Sequence, residues 1–219
     1  MITAGFRQRR IVLWSAVHIH SSRENGAAVP QLSGGRRVVM SDGDQDAALV
    51  ARCLAGEVEA FEPLVLRYQR PLFNVALRMV GDREEARDVV QDAFLRAYEK
   101  LSSFDPRYRF FSWVYRIVLN ASLNARERRR AGDPLTVEPA AGEGGPEEAL
   151  RAREREDCVQ AALLSLPVDD RLVLVLRHFA ELSYAEIGEA LGLAEKTVKS
   201  RLHEARQRLG RQLESGSAR

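Results

Sequence analysis

Aromatic rings alternate with guanidinium groups along residues 104–116, which read FDPRYRFFSWVYR. A ring can stack on an unpaired base while a neighbouring arginine pairs with a phosphate, so this composition suits single-stranded nucleic acid. A base flipped out of a duplex needs the same kind of pocket. We therefore favour nucleic-acid contact for Arg107, Tyr108 and Arg109, which precede a predicted helix.

Two residues of the helix that follows have more than one interpretation. Trp113 suits either a base contact or the core, and we favour the core because large aromatic residues dominate the cores of small helical domains. Asn120 is a polar residue within an apolar helix, so it is either a buried hydrogen-bonding residue or a base contact.

Residues 183–209 carry a second pattern, typical of a helix-turn-helix. Ser183 and Glu186 have the spacing of a capping box, and Gly192 can adopt the left-handed conformation that ends a helix. The second helix would enter the major groove, with Arg201 able to read a guanine. Its outer polar residues are Lys196, Thr197, Lys199, Ser200 and Arg201, and we expect Lys196 and Lys199 on phosphates. An ordinary helical hairpin with a basic surface is the alternative.

Charge alternates in blocks, although the formal net charge is only +2. Residues 106–130 carry seven basic residues and one acidic residue, and residues 196–219 carry seven basic and two acidic. Residues 131–150 between them carry five acids and no base. Two basic blocks suggest two contacts with a polyanion, of which nucleic acid is the commonest. The alternative is that these runs are solvated helix faces.

The residue types that serve catalysis or metal binding are scarce. The chain has no Gly-rich phosphate loop and no His-Glu-x-x-His motif, and its histidines, at positions 18, 20, 178 and 203, form no ligand cluster. Cys53 and Cys158 are expected to be buried small hydrophobic residues. We therefore predict no enzyme, no cofactor and no metal.

No segment near either end matches a membrane span. The apolar run from Ile11 to Val17 is far shorter than the roughly 20 residues that a span requires. A basic start before this run resembles a signal peptide, but His18 and His20 interrupt it and no suitable cleavage site follows. We expect a cytoplasmic protein without membrane insertion, with residues 1–40 a disordered extension or the product of a start upstream of Met40.

Helical periodicity extends over the rest of the chain and predicts an all-α protein of two small domains. Ala48, Leu49, Cys53 and Leu54 are predicted to form the buried face of the first helix. Gly81 is predicted to end one helix and Asp82 to cap the next. Residues 131–150 contain four glycines, three prolines and the acids, which indicates a flexible linker. Helical pattern resumes near Pro146, and the apolar run 172–176 is assigned to a helix because its flanks are helical.

The two halves together resemble the extracytoplasmic-function (ECF) group of bacterial RNA polymerase sigma factors. The resemblance covers about residues 45–130 and 146–213. It rests on GDREEARDVVQDAF at 81–94 and SWVYRIVLN at 112–120 in the first half. In the second half it rests on Leu166-Pro167, LSYAEI at 182–187 and TVKSRL at 197–202. The order of these motifs around a linker makes the resemblance specific.

The resemblance implies a division of the chain into two modules. Residues 41–130 would be region two, a helical bundle, and residues 151–214 would be region four, a helix-turn-helix domain, with a tail at 215–219. The acidic linker would follow the polymerase toward its active-site channel, where its carboxylates can mimic a nucleic acid strand. The partners implied are core RNA polymerase, through its clamp and flap, promoter DNA in duplex and single-stranded form, and an anti-sigma factor.

The resemblance also implies roles for individual residues. The polymerase-binding set is Asp88, Gln91, Asp92 and Arg96. The set for the minus-ten promoter element is Arg107, Tyr108, Arg109, Phe110, Ser112, Trp113, Arg116, Asn120, Arg126, Arg128, Arg129 and Arg130. The set for the minus-thirty-five element is Lys196, Thr197, Lys199, Ser200, Arg201 and His203. A stand-alone regulator with a helix-turn-helix output, as in LuxR-type proteins, is the alternative; it would dimerise and bind duplex DNA without polymerase.

Overall fold

The computed structural model describes residues 43–130 and 146–217. The predicted extension at 1–40 and most of the predicted linker lie outside these residues. The described α-helices are α1 (Gly43–Leu54), α2 (Glu62–Val80), α3 (Arg83–Glu99), α4 (Phe110–Arg130), α5 (Pro146–Ser165), α6 (Val168–His178), α7 (Tyr184–Leu191) and α8 (Glu195–Ser217). Short 3-10 turns occupy Val58–Phe61 and Leu101–Ser103. The described part of the chain contains no strand, which confirms the all-α prediction.

The junction between α2 and α3 forms as its sequence predicts. Gly81 ends α2 in the left-handed conformation, with a φ of 86°, and its N–H donates to the Leu77 carbonyl at 2.8 Å. Asp82 then caps α3, because its carboxylate accepts a hydrogen bond from the Glu85 N–H at 2.8 Å. A left-handed glycine next to a carboxylate cap reverses the chain within two residues, which lets α2 and α3 pack against each other.

The prediction for the buried face of the first helix is wrong in part. Ala48 and Leu54 are exposed, whereas Asp46, Val50 and Cys53 are buried. The cause is a polar anchor, since the Asp46 carboxylate accepts hydrogen bonds from the Tyr68 hydroxyl and the Arg67 guanidinium of α2. Hydrogen bonds to a charged carboxylate are stronger than neutral ones, and these two partners hold Asp46 on the inner face of α1.

An aromatic cluster fills the space where α2, α3 and α4 converge. Phe61 is fully buried, and its ring meets Phe94, Tyr98 and Phe110 edge to face at centroid distances of 5.1–6.4 Å. Edge-to-face rings add to the hydrophobic gain of burial. This cluster fixes the start of α4, and with it the aromatic and basic segment that precedes α4.

The second domain contains the predicted helix-turn-helix. Ser183 and Glu186 form both hydrogen bonds of the capping box, and Gly192 ends α7 with a φ of 68°. The apolar run at 172–176 lies within α6 and is buried, which confirms its helical assignment. Helix α5 begins at Pro146, inside the last residues of the predicted linker.

Arg171, at the start of α6, is fully buried and joins the two domains. Its guanidinium donates to the carbonyls of Leu163, Leu164 and Leu166 at 2.7–2.9 Å, and to the Met79 carbonyl of α2 at 3.3 Å. The last carbonyls of α5 and one near the end of α2 are thereby satisfied by a single cation. The first and second domains therefore pack directly on each other.

Candidate polymerase and promoter surfaces

The outer face of α3 carries the residues that the resemblance assigns to the polymerase. Asp88, Asp92 and Arg96 are exposed and Gln91 is partly exposed. Asp88, Asp92 and Arg96 border an open groove of about 720 Å³ between α3 and α4. The groove is lined by Glu85, Asp88, Val89, Asp92, Arg96, Ala121, Asn124, Ala125, Arg128 and Arg129. Its α3 wall is mainly acidic, which suits a protein partner better than DNA because carboxylates repel phosphates.

The arginines at the end of α4 separate into different surroundings. Arg129 pairs with Glu85 at 3.0 Å and with Asp82 at 3.5 Å, and Arg128 is exposed on the wall of the groove. Arg126 donates to the Leu164 carbonyl of the second domain at 3.0 Å. The side chain of Arg130 lies outside the described residues. Of the arginines that were predicted for the minus-ten element, some therefore lie at the groove and one lies at the domain junction.

The loop before α4 presents its polar groups to solvent. Arg107 is exposed, and its guanidinium holds the Asp105 carboxylate at 2.6 Å, which lowers the pKa of Asp105. Tyr108 is 56 % exposed, one of few large hydrophobic residues so placed in the described part of the chain. An exposed ring beside an exposed cation has the arrangement needed to stack on a base.

The predicted minus-ten set also contains residues that are buried in the core. Phe110 is buried among Phe61, Tyr68 and Phe104, and Ser112, two residues further on, is also buried. Trp113 is partly buried, with its ring 5.4 Å from that of Phe104, in line with the preference for the core. Asn120 is exposed on α4, so of its two interpretations the buried one is wrong.

Arg109 and Arg116 contact α7 of the helix-turn-helix. The Arg109 guanidinium pairs with Glu186 at 3.0 Å, and its backbone N–H donates to Glu189 at 2.9 Å. Arg116 donates to the carbonyls of Glu189 and Ala190 at 2.8 and 3.2 Å. Glu186 uses its two oxygens separately, since Oε1 faces Arg109 and Oε2 accepts the Ser183 N–H at 2.8 Å. Burial and the nearby Glu186 carboxylate also raise the pKa of Tyr115.

The recognition helix α8 keeps its predicted DNA-contacting residues at the surface. Lys196, Lys199, Ser200 and His203 are exposed, and Thr197 and Arg201 are partly exposed. Lys199 pairs with Glu195 at 2.7 Å, and this carboxylate raises the pKa of Lys199. The inward residues Val198, Leu202 and Ala205 are buried. The arrangement gives a cationic helix start that can approach a major groove.

Sequence reasoning missed three residues that shape these surfaces. Gly188 of α7 lies against the turn, where an added Cβ would be 2.5 Å from the Leu193 carbonyl oxygen. A glycine inside a helical pattern is the signal that could have shown this close approach. Arg171 and Glu189 gave no comparable signal, because their partners are distant in sequence or on another helix. Cys158 is exposed, so its predicted burial is wrong, whereas Cys53 is buried as predicted.

Comparison with known families assigns both domains. Sigma-70 region 2 matches residues 64–132, and sigma-70 region 4 matches residues 156–209. The order of the two matches is the order of the two helical domains. No helix in the described ranges is both long and apolar enough to cross a membrane.

Relatives match nearly their whole length. The RNA polymerase sigma-H factor of Pseudomonas aeruginosa is 37% identical over 183 residues, covering 78% of this chain and 95% of the relative. The ECF RNA polymerase sigma factor SigW of Bacillus subtilis is 35% identical over 170 residues, covering 72% and 91%. The structure of CnrH in complex with the cytosolic domain of CnrY matches with a TM-score of 0.63 and 30% identity, covering 78% of this chain and 97% of that one. The chain therefore belongs to the ECF sigma factors of the sigma-70 family.

Proposed function

We propose that the chain is a specificity subunit of bacterial RNA polymerase that binds the core enzyme, directs it to particular promoters and assists their melting. It acts by binding and not by catalysis. The observation that carries the proposal is that one chain exposes two chemically different surfaces, the acidic face of α3 and the cationic start of α8. The first suits a protein and the second suits DNA.

The first domain joins the polymerase and traps the melted strand. Asp88, Asp92 and Arg96 bind the clamp along the groove between α3 and α4, and Gln91 contributes from the same helix. Arg107 and Tyr108 contact the unpaired minus-ten strand, with Arg109, Arg116, Asn120 and Arg126 lining the path of its backbone. Because stacking on an exposed ring is available only to an unpaired base, this binding offsets part of the cost of separating the base pairs. Phe110 and Ser112 are left out of this surface because they are buried.

The second domain anchors the complex on duplex DNA at the minus-thirty-five element. Arg201 reads base edges from α8, and Lys196 and Lys199 pair with phosphates, with Thr197, Ser200 and His203 beside them. Core polymerase holds both domains on one frame, so two weak contacts reinforce each other through effective concentration.

The test of the clamp assignment is promoter-specific transcription with purified core polymerase. Changing Asp88→Arg together with Asp92→Arg reverses two exposed charges and is expected to abolish polymerase binding and transcription. The matched control is Glu59→Arg with Glu62→Arg, which reverses two exposed carboxylates elsewhere in the same domain. Intact transcription by the Asp88/Asp92 variant would show that the clamp assignment is wrong.

Two further aspects follow from the relatives. An anti-sigma factor is a fitting partner, since the solved neighbours include the sigma factor RpoE of Bartonella quintana in complex with the anti-sigma factor NepR, at 26% identity and a TM-score of 0.55. A subunit that acts on core polymerase would act in the cytoplasm, where the polymerase is. A stand-alone regulator is disfavoured because such a protein has no use for the exposed acidic face of α3.

A further inference from the structure

The side of α8 that faces away from its domain is fixed by the buried stripe of the helix, which consists of Val198, Leu202 and Ala205. At about 100° per residue, the opposite side carries Ser200 and Gln207. His203 lies on one edge of this outward side and Glu204 on the other, and all four side chains are exposed. A recognition helix presents its outward side to the base edges of a major groove. A carboxylate therefore lies within the surface that would read bases.

Glu204 is oriented by charges that begin inside the domain. Asp170, in the first turn of α6, has a side chain only 7% exposed, and its carboxylate pairs with Nη1 of Arg208. Nη2 of the same guanidinium lies 3.9 Å from Oε2 of Glu204. Asp169, beside Asp170, pairs with Arg201 at 3.4 Å. Both arginines on this edge of α8 are thereby held toward α6.

The buried end of this arrangement sets it apart from an ordinary ion pair on a helix surface. An exposed pair four residues apart contributes little, because both side chains give up freedom to form it. Arg208 has already given up that freedom to Asp170, since a buried carboxylate that lost its cation would be strongly destabilising. Glu204 therefore has a fixed guanidinium beside it, which limits the positions that its carboxylate takes.

A carboxylate on the outward side of α8 selects its partner by hydrogen-bond type, because it only accepts. Two bases offer a donor in the major groove, the amino groups of cytosine and adenine. Adenine places the N7 acceptor next to its amino group, whereas cytosine offers its N4 amino group without a neighbouring acceptor of its own. Phosphates repel the carboxylate. Cytosine is therefore the favoured partner.

We propose that Glu204 is a specificity-determining residue that accepts a hydrogen bond from the N4 amino group of a cytosine, and that Arg208, held by Asp170, positions it. The repulsion between Glu204 and phosphates weakens binding to every duplex, and the bond to cytosine offsets that cost at one base pair. The inference rests on the proposed function, which makes α8 the helix that reads DNA.

Glu204→Ala in the full-length chain, bound to purified core polymerase, tests the assignment. The probe is a pool of linear duplexes with a randomised segment, from which bound DNA is recovered and sequenced, with core polymerase alone as the background. The selected sequence is then made as duplexes that differ at a single base pair, and their affinities are compared by competition. Glu214→Ala is the matched control, because Glu214 is an exposed glutamate of the same helix, about 15 Å further along its axis.

The wild-type chain is expected to prefer cytosine at one position by about ten-fold, the size of one good base contact. Glu204→Ala should reduce this preference to about two-fold or less and should bind the other duplexes more tightly, because a charge that repels phosphates is gone. Glu204→Gln should shift the preference at that position toward adenine, which an amide pairs with through N6 and N7. Glu214→Ala should keep the cytosine preference.

Arg208→Lys tests the positioning role. A lysine keeps a cation for buried Asp170 but lacks the planar fork that reaches two carboxylates at once. The cytosine preference is expected to fall by about three-fold, within the range of one exposed ion pair, while preferences at other positions stay unchanged. An unchanged cytosine preference in this variant would show that Arg208 does not position Glu204.

The outcomes separate this inference from the proposed function. A selected sequence without a cytosine preference, or one that survives in Glu204→Ala, would overturn the inference alone. A loss spread evenly over every selected position would also overturn it, since that result indicates a structural role. A wild-type complex that enriches no sequence would contradict the proposed function, and the inference with it.

Discussion

Replacing Gly188 by alanine should destabilise the helix-turn-helix, although the same exchange normally stabilises a helix. An added Cβ would be 2.5 Å from the Leu193 carbonyl oxygen, closer than real Cβ atoms approach. The obstructing atom is backbone, and the Leu193 N–H is bonded to the Gly188 carbonyl at 2.8 Å, so the turn cannot simply move aside. Overpacking of this kind costs about 1–3 kcal/mol, which outweighs the gain of up to about 1 kcal/mol in helix propensity.

Gly210→Ala is the matched control. Gly210 also lies inside a helix, α8, but an added Cβ there meets nothing within 4 Å. Its exchange should therefore raise the free energy of unfolding by about 0.5–1 kcal/mol, the ordinary difference between the two residues. The opposite signs expected for one chemical change separate the effect of the turn from that of helix propensity.

Urea denaturation of the full-length variants, followed by far-UV circular dichroism, measures both effects. The midpoint should fall for Gly188→Ala and rise for Gly210→Ala, with the dependence on urea unchanged. Since the clash lies between α7 and the turn, Gly188→Ala should also weaken duplex binding by changing the angle of α8. A Gly188→Ala protein as stable as the wild type would refute the argument from close approach.

Three further outcomes are expected. Arg171→Met should lower the free energy of unfolding by about 2–4 kcal/mol in urea titrations, because buried carbonyls without a donor cost about 1–3 kcal/mol; an unchanged midpoint would contradict this. Asp82→Ala should cost about 1 kcal/mol through loss of the α3 cap, measured in the same way, whereas Asp82→Asn, which keeps an acceptor, should cost less. A thiol reagent should label exposed Cys158 promptly and buried Cys53 only after unfolding, since burial raises the pKa of Cys53 to about 11. The thiol ionises at a lower pH in the unfolded chain than in the folded one. The free energy of unfolding should therefore fall as the pH rises from about 9 to about 11. Replacing Cys53 by alanine should remove the part of this decrease that Cys53 causes.

Local signals in the sequence were sufficient to predict most of the fold. The left-handed glycine at 81, the carboxylate cap at 82 and the capping box at 183–186 each involve groups within a few residues, and all are confirmed. The buried stripe of α3 also follows apolar periodicity, because one face of that helix meets the core along its whole length. These features depend on neighbours that the sequence places together.

Features that depend on distant partners could not be read in this way. The inward turn of Asp46 depends on Tyr68 and Arg67 in the next helix, so the apolar pattern misplaced the buried face of α1. The resemblance implied that Phe110 contacts the minus-ten element, yet its ring packs against those of Phe61 and Phe104 in the core. The contacts of Arg109 and Arg116 lie more than 70 residues away, on a different domain.

The two oxygens of Glu186 have different partners, which affects how the second domain behaves when it separates from the first. Because only Oε1 faces Arg109, separation of the domains exchanges that one partner for water and leaves the bond from Oε2 to the Ser183 N–H in place. The first turn of α7 would therefore stay helical when the second domain separates from the first. A DNA-binding domain that separates without unfolding can reach its site without refolding.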